Sequence, residues 1–119
     1  MTRRLSALAF AALISSAGLT GIANAADPIL GQWQAPGGGV VKVSACGNAF
    51  CAKVISGDHK GKSVGTMRGS GGDYTGTVTD PRDDKTYEGS ATIASNGKTL
   101  KLTGCALKIF CKTQTWTRI

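Results

Sequence analysis

Apolar and polar residues alternate with a period of two along most of the chain after residue 26, and helical periodicity is hard to find there. Alternation of this kind is typical of strands that bury one face and expose the other. For example, Val41 and Val43 share one face of a segment whose other face carries Lys42 and Ser44. Turn signals recur about every 8–12 residues, and this spacing predicts an all-β sandwich or barrel.

The predicted strands are bounded by clusters of Gly, Pro, Asn, Asp and Ser, which favour turns. We expect about seven or eight short strands in all, with at most one short strand in the weakly apolar segment 57–72. The pair Asn96-Gly97 predicts a two-residue hairpin turn, because both central positions of such a turn need positive φ. The strand candidates are Ile29–Ala35, Val40–Ala45, Cys51–Ser56, Tyr74–Thr79, Tyr87–Ile93, a segment through Leu100 and Leu102, and Cys111–Ile119.

The first 25 residues have the features of a secretory signal peptide. Two arginines precede an apolar run from Leu5 to about Ala17, and Ala23-Asn24-Ala25 supplies small residues for cleavage. The apolar run is shorter than the ~18 residues that a spanning helix requires, so a retained anchor is the less favoured alternative. We therefore predict a signal peptide at 1–25 and a single domain at 26–119. The mature protein would be periplasmic or secreted, with no membrane span.

The predicted mature chain of 94 residues contains four cysteines, at Cys46, Cys51, Cys105 and Cys111. An even number in a small exported domain predicts two disulfides. A zinc site is less favoured, because the spacings are C-x4-C and C-x5-C and no His lies near either pair. Loop entropy favours the long Cys46–Cys111 ring. In an eight-stranded up-and-down barrel, however, the two connections lie at opposite ends, so we predict the local pairs Cys46–Cys51 and Cys105–Cys111. A miscounted strand would reverse this argument.

Charge and motif content limit the possible chemistry. Without its leader the chain has 12 basic and 7 acidic residues, a net charge of +5, which favours acidic partners such as anionic envelope polymers. No basic run or aromatic-rich strand indicates nucleic acid. His59 is the only histidine, and nothing near it supports Ser-His-Asp or Cys-His catalysis. The turn acids Asp80, Asp83 and Asp84 do not have the spacing of a calcium loop. We predict no catalytic residue, no metal and no cofactor.

Gly31-x-Trp33 lies in the first predicted strand, and Gln114, Trp116 and Arg118 share one face of the last. This arrangement resembles the signature of the calycins, the lipocalins and their relatives. The resemblance implies that Trp33 plugs the base of the barrel and that Arg118 lies over its indole, a contact worth ~0.5–2 kcal/mol. The last strand would then close the barrel against the first.

A second resemblance covers most of the predicted mature chain. The motifs are similar to those of the small exported bacterial family catalogued as domain of unknown function 2147. This implies a calycin-like barrel in the periplasm, and no established activity. Asp84 stands where the family usually has Gly, but Asp tolerates the left-handed conformation better than most residues. The motifs are Asp27-Pro28-Ile29-x-Gly31-x-Trp33, Gly38-Gly39-Val40-Val41, Cys46 with Cys51, Asp80-Pro81, Lys85-Thr86-Tyr87, Leu100-Lys101-Leu102-x-Gly104-Cys105 and Thr113-Gln114-Thr115-Trp116-Thr117-Arg118.

The predicted inward faces mix small and large residues. An eight-stranded barrel is just wide enough to be filled by side chains or to hold one small ligand. For so short a chain we expect a filled core, with a cavity as the alternative. We expect a monomeric, non-enzymatic binding module for a small apolar or amphipathic ligand at the end opposite Trp33. The alternative is a protein-binding envelope factor, such as an inhibitor of a protease or a lysozyme. The candidates for lining a cavity or closing the barrel are Trp33, Tyr87, Trp116 and Arg118.

Overall fold

The computed structural model describes residues 27–107 and 109–119, so the predicted signal peptide lies outside the described residues. The described chain forms eight antiparallel strands in a closed barrel, in which each strand pairs with the next and the last pairs with the first. This up-and-down arrangement confirms the predicted fold class. The strands are β1 Gly31–Gln34, β2 Val40–Cys46, β3 Ala49–Ser56, β4 Ser63–Ser70, β5 Asp73–Asp80, β6 Lys85–Ile93, β7 Thr99–Ala106 and β8 Phe110–Arg118.

The segment 57–72 contributes a full wall strand, β4, although its sequence offers few apolar residues. Val64, Gly65 and Met67 are buried there, and Phe50 of β3 pairs with Met67. The connections between β2 and β3 and between β7 and β8 are shorter than the sequence predicts. Ala49 and Phe50 already belong to β3, and Phe50 is almost fully buried. The burial of these side chains decides the strand bounds, and it depends on neighbours that are distant in the sequence.

The connection between β6 and β7 spans 94–98, so the predicted two-residue turn is wrong. Gly97 has a φ of +74°, whereas Asn96 is not among the residues with a positive φ. The side-chain oxygen of Asn96 instead accepts a hydrogen bond from the backbone N–H of Lys98 at 2.9 Å. A type I′ turn needs positive φ at both central residues, and this local bond holds Asn96 out of that conformation. By contrast, Asp84 has a φ of +59°, as expected from its place in the turn.

Both predicted disulfides are present, Cys46–Cys51 between β2 and β3 and Cys105–Cys111 between β7 and β8. The two connections lie at opposite ends of the barrel, which keeps the pairs apart. Disulfides of this kind are typical of proteins that fold outside the reducing cytoplasm. None of the described residues lies in a helix long and apolar enough to cross a lipid bilayer.

One half of the barrel is filled by side chains. We call its closed end the base; the N-terminal segment Asp27–Leu30 crosses it. Phe50 and Tyr74 meet there edge to face, with ring centroids 5.6 Å apart. The expectation of a filled core is correct for this half and wrong for the other, which is hollow. The core of the described residues includes Ile29, Trp33, Val43, Phe50, Met67, Tyr74, Ile93, Leu100 and Trp116.

Candidate binding cavity

Trp33 and Arg118 close the base. Trp33 is fully buried, and its indole N–H donates to the carbonyl oxygen of Ile29 at 2.9 Å. The guanidinium carbon of Arg118 lies 4.1 Å from the centroid of the Trp33 ring. Arg118 also donates from Nε to Gly97 O at 2.7 Å and from Nη1 to Leu30 O at 2.8 Å. These contacts tie three chain segments together, so neither residue lines an open site.

Gly31 makes room for this arginine. A Cβ atom added at Gly31 would lie 2.7 Å from Nη1 of Arg118, and the φ of Gly31 is +125°. The backbone conformation therefore favours glycine, and a larger residue would also displace the tip of the Arg118 side chain. Gly31 and Arg118 form one structural unit with Trp33, and this explains the spacing of the Gly-x-Trp pair.

A buried carboxylate holds the N-terminal segment at the base. Asp27 is 7% exposed and accepts hydrogen bonds from the hydroxyl of Tyr74 and from the backbone N–H groups of Ile29 and Gly71. From the sequence, Asp27 could be recognised only as part of a family motif. Its partners Gly71 and Tyr74 lie 44 and 47 residues away, so no local pattern reveals these contacts. These hydrogen bonds anchor the start of the described chain to the base.

The opposite end, which we call the mouth, opens into a cavity of about 680 Å³. Its inner walls are mainly aliphatic and aromatic, and polar residues of the connections surround its opening. Tyr87 and Trp116, both candidates from the sequence, line this cavity, whereas Trp33 and Arg118 do not. A second void, in the filled half, measures only about 20 Å³ and is too small for a ligand. The inner walls include Val41, Val54, Val64, Val78, Tyr87, Leu102, Gly104, Gln114 and Trp116.

The glycines of the wall have two different roles. A side chain at Gly76 or Gly89 would collide with neighbouring strands, so these glycines permit close packing and do not create the cavity. Gly104 is different, because a Cβ atom there would sit at an ordinary contact distance of 3.8 Å from Val78 and 3.9 Å from the Cβ of Tyr87. Gly104 also lines the cavity, so a longer side chain there would extend into the chamber.

The wall is incomplete beside β8. β1 ends at Gln34, and its register with β8 covers only Trp33 opposite Arg118 and Gln34 opposite Thr117. Higher on β8, the inward positions 110, 112 and 114 are exposed, yet they line the cavity together with the turn 35–39. We call the opening between 35–39 and 110–114 the seam. The cavity is therefore accessible from the side as well as from the mouth.

Ion pairs neutralise one side of the mouth. Arg82 donates from Nη2 to Asp80 at 2.6 Å and from Nε at 3.0 Å, and these hydrogen bonds lower the pKa of Asp80 to about 2. Lys62 lies 3.3 Å from Asp84 and also donates to the carbonyl oxygen of Pro81. The pairs stabilise the turns at the mouth. They also neutralise the charges of these four side chains.

The connection between β7 and β8 carries exposed apolar side chains at the mouth. Leu107 is 82% exposed, Ile109 74% and Phe110 66%. Leu107 has a φ of +54°, which is unusual for a leucine, and Cys105–Cys111 fixes the ends of the connection. We call Leu107, Ile109 and Phe110 the apolar tip. Its exposure is not explained by packing within the barrel.

Comparison with known proteins places part of the chain in a bacterial family. Residues 61–118 match the family model described as "Uncharacterized protein conserved in bacteria (DUF2147)". The predicted resemblance to this family is confirmed over that range. The match takes in β4 to β8 and thus Tyr87, Trp116 and most of the cavity wall. No curated protein and no solved structure matched the chain.

In the described part of the chain, the acidic, histidine and cysteine side chains do not assemble into a metal site. Among residues 27–107 and 109–119, no group of three or more His, Cys, Asp or Glu is placed to hold an ion. His59 and Asp58 are neighbours at the mouth, and both line the cavity. The features that distinguish this site are its volume, its apolar walls and its lateral opening.

Proposed function

We propose that this protein is an exported, non-enzymatic module that holds one small apolar or amphipathic molecule in its cavity. The observation that carries this proposal is the chamber of about 680 Å³. Ligand pockets typically measure about 300–1,000 Å³ and combine apolar walls with a few polar groups. Removing apolar ligand surface from water contributes roughly 25 cal/mol per Å², so the walls can supply most of the affinity.

Export to the periplasm is supported by the two disulfides, by the predicted leader and by the match to a bacterial family. A non-enzymatic role is supported by the ion pairs that titratable groups form with each other at the mouth. Asp80 and Arg82 bind each other, as do Lys62 and Asp84. An enzyme would instead need a nucleophile or an acid–base group in contact with a partner that activates it.

Filling the chamber tests the proposal directly. The variant Gly104→Leu adds a side chain where a Cβ meets only ordinary contacts, so the fold should survive. Its control is Lys101→Leu on the same strand, where the side chain is exposed on the outer face. The assay is titration with the uncharged fluorescent probe N-phenylnaphthylamine, with urea unfolding measured in parallel. We expect Gly104→Leu to weaken probe binding at least about tenfold without lowering the free energy of unfolding.

The wild type and Lys101→Leu should bind the probe equally. If the wild type does not bind it, or if Gly104→Leu binds it as well as the wild type does, the cavity is not a binding site. If the probe does bind, mass spectrometry of small molecules that co-purify from a periplasmic extract would identify the natural occupant or show that none is retained.

A protein-binding role is the second candidate, and the exposed apolar tip favours it. The N-terminal segment is engaged at the base, so a protein partner would contact the mouth. The variant Leu107→Gly removes an exposed side chain and also relieves the positive φ, so it should not destabilise the barrel. Combined with Ile109→Ser, it should abolish capture of any envelope protein that binds the tip. Capture that persists in this variant would contradict the second candidate.

A further inference from the structure

Lys112 is a basic residue on the inward face of a barrel wall. It lies opposite Gly104 in the register of β7 and β8, two residues from Gln114 and four from the buried Trp116. Because side chains alternate along a strand, these three positions share one face. Lys112 accordingly lines the cavity, at the seam, where β8 has no partner strand on its second side within the described residues.

Lys112 differs from the other cation that lines the cavity. Arg82 is bound to Asp80, whereas Lys112 is in neither salt bridge found among residues 27–107 and 109–119. Its inward neighbours are Phe110 and Gln114 on its own strand and Gly104 across the ladder, and none is acidic. Within the part of the chain that the structure describes, Lys112 therefore has no ion-pair partner.

Gln114 provides a second donor beside Lys112. Its side-chain oxygen accepts a hydrogen bond from the indole N–H of Trp116 at 3.0 Å. The indole can only donate, so this contact fixes which end of the amide is the oxygen. The amide NH₂ group of Gln114 is thereby kept as a donor on the inward face, between Trp116 and Lys112.

We propose that the ligand is a single-chain amphiphile with an anionic head group, a carboxylate or a phosphate. Its head contacts the ammonium group of Lys112 and the amide of Gln114 at the seam, and its chain fills the apolar chamber towards Trp116. This inference rests on the proposed function. A charge-assisted hydrogen bond is stronger than a neutral one, so Lys112 selects anionic over neutral or cationic amphiphiles.

The test compares ligands that share one chain and differ in the head group. Decanoate, decyl phosphate, decanol and decyltrimethylammonium each compete with N-phenylnaphthylamine, all below their micelle concentrations. Proteins are the wild type, Lys112→Met, Lys112→Arg and the control Lys101→Met, whose side chain is exposed on the outer face. We expect Lys112→Met to weaken decanoate about tenfold or more and to change decanol less than about twofold. Lys112→Arg should retain the preference, and Lys101→Met should behave as the wild type.

A measurement on the wild type alone keeps the inference testable if a variant does not fold. Added salt should weaken binding of decanoate and decyl phosphate but not of decanol, because salt screens exposed charges. The relative affinity of the two anions distinguishes a carboxylate from a phosphate source. If probe binding is normal but decanoate is not preferred, or the preference persists in Lys112→Met, the head-group inference is overturned and the cavity function stands.

Two further outcomes separate this inference from its alternatives. An inward lysine can also protect an exposed sheet edge from pairing with another chain. If Lys112→Met self-associates in sedimentation but keeps the wild-type preference for decanoate, Lys112 protects the edge and the inference is wrong. If neither the probe nor any amphiphile binds the wild type, the proposed function itself fails.

Discussion

Replacing Arg118 with lysine tests whether a planar guanidinium holds the base of the barrel closed. Arg118 donates to the carbonyl oxygens of Pro28, Leu30 and Gly97, and it lies over Trp33. A lysine keeps the positive charge, but its single nitrogen cannot reach three acceptors that surround a planar fork. The variant therefore removes the planar geometry of the guanidinium group and keeps its positive charge.

The expected loss follows from these contacts. Hydrogen bonds to charged groups contribute about 1.5–3 kcal/mol each, and lysine would lose two of the three. Arg118 is only half-buried, so water replaces part of what is lost, and the cation–π contact changes by less than ~1 kcal/mol. We expect Arg118→Lys to lower the free energy of unfolding by about 2–3 kcal/mol and Arg118→Ala by about 3–4 kcal/mol.

Urea unfolding of the protein with its disulfides intact, followed by tryptophan fluorescence, measures this loss. A loss of 2 kcal/mol would lower the midpoint by about 1–2 M at the m-values usual for small domains. The control is Arg68→Lys, an exposed arginine on β4, which should change stability by less than ~0.5 kcal/mol. An equally small change for Arg118→Lys would refute the idea that the fork closes the base. Because the cavity lies at the other end, Arg118→Lys should bind N-phenylnaphthylamine as the wild type does while it remains folded.

Three further predictions concern the base and the mouth. Trp33→Ala should cost ~3–5 kcal/mol in urea unfolding, since Trp33 is fully buried; a loss below ~1 kcal/mol would place it outside the core. Tyr74→Phe should cost about 1–3 kcal/mol, because the buried Asp27 loses a donor; an unchanged midpoint would show that water replaces the hydroxyl. Arg82 lowers the pKa of Asp80 from 3.8 to about 2, so the stability that this pair contributes is present above pH ~4 and is lost as pH falls towards 2. Asp80→Asn should flatten the stability–pH curve in that window, and the change should be small because water screens so exposed a pair; an unchanged slope would contradict the assignment.

The agreement between sequence and structure was best where a local rule applied. Period-two alternation located most of the strands, and the strand count placed the two cysteine-bearing connections at opposite ends of the barrel. The left-handed conformation of Asp84 also followed from the turn motif around it. Local rules failed where burial decided the outcome. β4 extends over Ser63–Ser70 despite its low apolar content, because its neighbours β3 and β5 supply ladders on both sides.

The cavity depended on relations that a single sequence does not contain. The alternating pattern of the last strand places Lys112 and Gln114 on its inward face. Whether an inward lysine could contact a ligand, however, can be judged only once the space around it is known. The short β1 leaves one edge of β8 uncovered, and this creates the seam. Similarly, Gly104 lines the cavity and could accept a Cβ atom, whereas a Cβ atom at Gly89 would collide with Val78, although both are glycines on inward faces.

The sequence by itself determined the all-β class, the up-and-down order of strands, the local disulfides and the residues that plug the base. The all-β class follows from periodicity and turn chemistry, and the disulfides follow from cysteine spacing and strand order. The up-and-down barrel and its plug follow from the resemblance of the motifs to known families. Only the tertiary structure decided that one half of the barrel is filled and the other hollow. The difference depends on how side chains from all eight strands share a common volume, and on where the shortest strand stops. Closure by Trp33 and Arg118 could be predicted from motifs, whereas the open end facing Lys112 could be found only from the assembled barrel.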